Sequence, residues 1–226
     1  MISSMATRHL LVALAQAHAA AATSTAATQL ESVGGVDAAR RVMEGERFDA
    51  VVLASDAIER LMAAGRIAPG SVRSIADSVV AIAVRAGAHR PDVSTAAALR
   101  ATLLQASAIG YSTGPSGTEL VRLFERWGVI DALKDRLLQA RPGIPVGDLV
   151  ASGEAEIGFQ QLSELMDVSG IELLGVMPAG AEIVSRFCGG VVAGSPCAEA
   201  AQSLLDFMAS PKTAPLKLQH GMRSVD

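Results

Sequence analysis

Apolar positions along the chain switch between a helical period and short continuous runs. Leu10, Leu14 and Ala17 share one face at helical spacing, which predicts a first helix over residues 4–19. A strand is expected at 28–31. A helix over 36–44 follows, with Val36, Ala39 and Met43 inward and Asp37, Arg40 and Arg41 outward. The apolar stretch in FDAVVLA (48–54) reads as a strand buried on both faces. A helix over 56–64 closes at Gly65, and 71–85 carries a long β-like run, VVAIAVR.

The second stretch repeats the scheme after Arg90-Pro91. Helices are predicted at 96–104, 116–127 (Leu120, Phe124 and Trp127 inward), 130–138, 146–151 and 162–166. Strands are predicted at 108–111, 155–159 and 171–176, and a β run at 183–192 leads to helices over 196–208 and 211–218. Ser210-Pro211 supplies an N-cap followed by proline at the first helical position. This order predicts an α/β fold of mostly parallel sheets with flanking helices. The runs at 79–85 and 183–192 look like connectors. They divide the chain into one lobe of 1–80 plus 190–226 and another of 85–182, joined by a double hinge.

Composition narrows the function classes. Charged residues make up 19%, the net charge is -4 and basic residues never run beyond neighbouring pairs, which argues against a nucleic-acid surface. Aromatics at 3% leave few platforms for stacking bases or sugars. His9, His18, His89 and His220 are scattered, so no metal or other cofactor is expected. Cys188 and Cys197 read as two small thiols, with a disulfide left open. Arg8 with the apolar run after it, down to Ala17-His18-Ala19, imitates a secretory signal, but His9, Gln16 and His18 interrupt it and favour the amphipathic helix. No apolar segment is long enough to span a bilayer, so no membrane insertion is expected.

Small hydroxyl residues and glycines recur where a strand should end and a helix begin. They are Ser3-Ser4, Ser32 with Gly34-Gly35, Ser55-Asp56, and Tyr111-Ser112 with Ser116-Gly117. In an open parallel sheet such junctions line the carboxyl edge, where ligands of α/β folds bind. Helix starts there present N–H groups and partial positive charge, and the hydroxyls add donors. The pattern suits a small anion. A serine before a helix is also an ordinary cap, and Asp56 reads as a cap or an outward acid. No nucleophile elbow, P-loop or dinucleotide fingerprint is present. Glu154 and Glu156 read as solvated edge carboxylates, so no catalytic residue is assigned.

Several segments, taken in order, resemble the molybdate/tungstate-type solute-binding proteins of ABC transporters. They are ISSMAT (2–7), SVGG (32–35), RVMEGERFDAVVLASD (41–56), GEAEIGFQQ (153–161) and AAQSLLDFMASP (200–211) with Gly221-Met222. The resemblance implies a two-lobed type II periplasmic-binding-protein fold that closes over a ligand in the interlobe cleft. It carries over Ser4, with Ser3 beside it, as the first-helix serine. It also carries over Ser32 with the Gly34-Gly35 turn, and Val146 as a main-chain donor at a helix start. Gln161 stands where molybdate binders place a tyrosine, and the loop after Tyr111-Ser112 is longer than theirs. With Gln160, these departures favour a larger, carboxylate-bearing anion, since amides both donate and accept. The family also places a short strand ahead of the first serines, where this chain begins.

The function implied is extracellular capture of an oxyanion or small carboxylate for an ABC permease, by a monomer. The broader group also holds an isomerase acting on aconitate. That alternative ranks second, because the sequence shows no well-placed base. A third reading is a ligand sensor on the same fold. The resemblance implies a periplasmic location, while the lack of a recognisable signal leaves a cytoplasmic one open.

Overall fold

The computed structural model describes residues 1–21, 28–141 and 143–225. The chain opens with β1 (Ile2–Ser4), α1 (Arg8–Ala21), β2 (Glu31–Val33), α2 (Gly35–Met43), β3 (Ala50–Ala54), α3 (Ser55–Ala63) and the long β4 (Arg73–Arg85). It continues through α4 (Ala96–Gln105), β5 (Ile109–Tyr111), α5 (Pro115–Arg126), α6 (Ile130–Leu133), β6 (Leu137–Gln139), α7 (Val146–Ser152), β7 (Ile157–Gln161), α8 (Leu162–Leu165) and β8 (Ile171–Val176). β9 (Val184–Val191), α9 (Ala198–Ala209), α10 (Ala214–Gln219) and β10 (Met222–Arg223) complete it. Two compact units emerge, Met1–Ser78 with Ser185–Asp226, and Val79–Val184. The chain leaves the first within β4 and re-enters it at the start of β9.

In the first unit β1 is the middle of a parallel trio, between β2 and β3. Antiparallel pairing enters with β9 against β3 and β10 against β4. Ala50 and Val52 of β3 join a core built by Leu10, Leu11 and Leu14 of α1 with Leu204, Leu205 and Met208 of α9. Val51 and Leu53 join the opposite core, with Ala38 and Val42 of α2 and Ile58 and Leu61 of α3. A strand covered on both faces is apolar at every position, which is why FDAVVLA does not alternate.

Three expectations change here. Residues 2–4 are strand and Met5–Thr7 a 3-10 turn, so the first helix begins at Arg8 rather than at residue 4. β2 falls at Glu31–Val33 rather than 28–31, because its parallel register with β1 starts at Ile2↔Glu31. α2 turns Ala38 and Val42 inward and leaves Val36 68% exposed. Gly35 packs against Ser4, and the buried stripe follows from it at i+3 and i+7. Arg41, expected outward, lies over the Phe48 ring at 5.2 Å and pairs with Glu31 and Glu46, its side chain only 18% exposed.

In the second unit β7 runs parallel to β5 and antiparallel to β4, while β5 pairs parallel with β6 and β8 antiparallel with β4. Val80, Ile82 and Val84 of β4 pack with Leu99 and Leu103 of α4 and Leu120 and Phe124 of α5. Phe124 meets Phe159 edge-on at 6.4 Å. On the other face lie Ala81, Ala83 and Leu165, and Val146 and Val150 of α7. The helix expected over 130–138 stops at Leu133. A 3-10 turn (Lys134–Arg136) follows and Leu137–Gln139 becomes β6, drawn into pairing with β5. Arg136 fixes the break by donating to the carbonyls of Leu104, Ala106 and Ala132 at 3.0, 2.6 and 2.7 Å.

Candidate ligand-binding site

Because β1, β2 and β3 are parallel, their carboxyl ends share one edge of the first unit's sheet. Ser4 sits opposite Val33, so Ser4, Gly34 and the Ala54-Ser55 junction fall within a residue or two of one another in register. Each strand passes straight into a helical start at Met5, Gly35 or Ser55. The first N–H groups of a helix have no partner within it and carry the positive end of its dipole. Ser4 is buried, and its Oγ has no hydrogen-bond partner. Such a group is costly unless something completes it. A Cβ on Gly35 would stand 3.4 Å from Ser4 Cβ, so glycine brings the first turn of α2 directly against this hydroxyl. Ser55 is half-buried at the start of α3.

Ser3 behaves differently from its neighbour. Strand alternation points it to the opposite face, where it is fully buried and its Oγ lies 2.9 Å from Ser32 Oγ. The pair, in register across β1 and β2, ties the strands together. Ser3 and Ser32 therefore answer each other, and the carried-over serine on this edge is Ser4.

In the second unit the parallel register Tyr111↔Phe159 and Tyr111↔Gln139 places the ends of β5, β6 and β7 on one edge. Ser112 Oγ lies 3.1 Å from Ser116 Oγ. A Cβ on Gly117 would land on the Ser112 carbonyl oxygen, so this turn can close only over glycine. A depression of about 290 Å³ opens here, lined by Tyr111, Gly117, Thr118, Val121, Arg122, Glu125 and Gln139. Gln161 ends β7 opposite Val80 and is buried.

Val146 and Gln160 are found in a different role from the one expected. The Val146 N–H donates to Gln160 Oε1 at 2.8 Å, and Gln160 Nε2 donates to Glu164 Oε1 at 2.9 Å. Both are buried, and the Val146 N–H is spent on Gln160 rather than presented as a free donor. Gly110 and Gly158, register partners in β5 and β7, allow the close approach. A Cβ on either would meet Val146 Cγ1, at 3.1 and 2.9 Å. Glu164 was missed in the sequence. Its half-buried carboxyl is pushed up to about 7 by desolvation, with the Gln160 bond working in the opposite direction. The only signal was the i, i+4 spacing of Gln160 and Glu164.

The remaining acids read as expected. Asp56 is exposed and pairs with Arg60 at 2.8 Å. Glu156 accepts from the Ser107 N–H and hydroxyl at 2.7 and 2.6 Å, bonds that hold its carboxyl below the usual range. Cys188 is buried, Cys197 exposed, and both thiols are free. Among the described residues no cluster of three His, Cys, Asp or Glu could hold a metal ion, and no helix is long and apolar enough to cross a membrane. A larger cavity of about 710 Å³ lies at the opposite strand ends of the first unit, by Met1, Glu31 and Ala50. Its lining residues Ala19 and Thr28 fall on either side of positions 22–27, outside the described residues, and no site is read there.

Residues 1–223 match the family model of the bacterial extracellular solute-binding proteins. An aconitate isomerase from a Pseudomonas species is 37% identical over 187 residues, covering 82% of this chain and 71% of that protein. The periplasmic molybdate-binding protein of Azotobacter vinelandii superposes with a TM-score of 0.81 at 18% identity, over 100% of this chain and 98% of that one. The sulfate-binding protein of Mycobacterium tuberculosis does so with a TM-score of 0.76 at 18% identity, over 100% and 86%. At these identities the two structures establish the fold, that of the type II periplasmic binding proteins.

Proposed function

The chain belongs to the family of bacterial extracellular solute-binding proteins, and on that footing we propose that it captures a small anion for an ABC importer. The observation that carries the ligand class is the buried Ser4 hydroxyl, which lacks a partner and stands where three parallel strands pass into helical starts. An anion completes the hydroxyl and sits against the positive ends of helices. The relatives named above point the same way. Molybdate, sulfate and aconitate differ in shape but share negative charge. Ser4, Gly34, Gly35 and Ser55 supply donors in the first unit, and Tyr111, Ser112, Ser116, Gly117 and Gln161 line the corresponding edge of the second. The protein works as a monomer outside the cytoplasmic membrane and hands its ligand to a permease.

A thermal-shift screen with molybdate, tungstate, sulfate, citrate and trans-aconitate tests this. A ligand at about 100 times its Kd stabilises by roughly 2.7 kcal/mol, a readily seen shift. If only neutral sugars or amino acids moved the melting point, the anion reading would fail.

A second reading rests on the 37% identity with the aconitate isomerase: that this chain interconverts the isomers of a small unsaturated polycarboxylate. Incubating the protein with cis- or trans-aconitate and assaying the other isomer decides it.

A further inference from the structure

Glu164 stands in the first turn of the four-residue α8, just beyond the carboxyl end of β7. Its orientation is set from the main chain outward. The Val146 N–H can only donate, so it fixes Gln160 Oε1 toward α7 and turns Gln160 Nε2 toward the acid. That amide donates to Glu164 Oε1 whether the acid is ionised or protonated, which leaves Oε2 to carry the proton.

Among the described residues no cation is arranged to hold the group ionised. β7 carries no charged residue, and α7 has only Asp148, which is exposed. The second-unit half of β4 has only Arg85, which is exposed, and β8 only Glu172, which pairs with Arg90. Burial dominates, and the carboxyl titrates near neutrality. A carboxyl poised there can both accept and return a proton at physiological pH.

We propose that Glu164 is the proton-transfer group of the second unit, acting on a bound unsaturated polycarboxylate while Gln160 holds it in place. The proposal rests on the isomerase reading. In the substrate class it fits, a methylene carbon lies between a carboxylate and a carbon–carbon double bond. Glu164, as the carboxylate, takes a proton from that methylene. The C–H electron pair forms a new double bond as the old π bond shifts toward its far carbon. The protonated Glu164 then delivers its proton to that far carbon. Protons and electrons balance without a co-reactant. Tyr111, Ser112 and Ser116, on the adjoining strand end, offer hydroxyls to the substrate carboxylates.

The test uses the whole chain, trans-aconitate in deuterated water, and proton NMR to follow isomerisation and deuterium entry. The wild type should convert and exchange, with kcat/KM rising with pH to a plateau through a midpoint near 7, because the base must be ionised. Glu164→Gln should lose at least about 100-fold in rate while still showing a melting shift with trans-aconitate, and Glu164→Asp should retain part of the rate. If Glu164→Gln exchanged at the wild-type rate, Glu164 would be overturned and the isomerase reading would stand. If the wild type bound trans-aconitate without converting or exchanging it, the isomerase reading would fall together with the proposal, leaving anion capture intact.

Discussion

Replacing Glu164 by glutamine should stabilise the protein in a way that depends on pH. The unfolded chain releases this proton at the ordinary glutamate value of about 4.5, and the folded chain at about 7. Between these values the folded state holds a proton that the unfolded state has lost, so stability falls as pH rises. The favourable contribution is complete below about 4.5 and gone above about 7. The shift corresponds to at most about 3 kcal/mol, and solvent access to the half-buried side chain reduces it to about 1–3 kcal/mol. Glutamine is neutral throughout and keeps an oxygen for Gln160 Nε2. Glu164→Gln should therefore match the wild type near pH 4.5 and exceed it by about 1–3 kcal/mol at pH 8, several degrees in Tm for a chain of this size. Urea unfolding followed through Trp127, the only tryptophan, reports on the unit concerned, since Trp127 caps α5 and packs on Phe124. Other titrating groups cancel in the difference between the two proteins. A difference independent of pH, or a variant less stable than the wild type at pH 8, would refute the reasoning.

Ser4→Ala should leave the unliganded protein at least as stable as the wild type, because the buried hydroxyl has no partner to lose, yet weaken anion binding about tenfold by calorimetry, the worth of one charge-assisted bond. Gly117→Ala should cost at least about 2 kcal/mol in urea unfolding and weaken binding as well, since its Cβ would displace the Ser112 carbonyl from the turn. In the native protein a thiol reagent should modify Cys197 promptly and reach Cys188 only on unfolding, because burial pushes the Cys188 thiol up; equal labelling of both would contradict this.

The strands buried on both faces were plain in the sequence, because FDAVVLA and VVAIAVR carry continuous, β-branched-rich apolar runs of strand length. What escaped was set by partners distant in the chain. Leu137–Gln139 continues the apolar period of a helix, and only pairing with β5, with Arg136 holding the break, makes it a strand. The buried stripe of α2 depends on Gly35 meeting Ser4, so the choice of Val36 as an inward residue failed by one position. At the candidate site, the serine and glycine junctions were legible because each is local, a strand end followed by a helix start. That Ser3 turns away to Ser32 follows from strand alternation once residues 2–4 are known to be strand. The Val146–Gln160–Glu164 chain was not legible. Its first bond spans fourteen residues, and the proton affinity of Glu164 comes from desolvation, which no spacing encodes.

The most direct measurement follows amide proton–nitrogen correlation spectra while the anion that raises the melting temperature is titrated in. Signals of Gly35, Val36, Ser55 and Asp56, with Ser112 and Ser116, should move as these groups meet negative charge, while Glu31, Asp49 and Leu137 at the far ends of the strands hold still. Movement confined to those far ends, with the serine turns unaffected, would contradict capture by helix starts and hydroxyls.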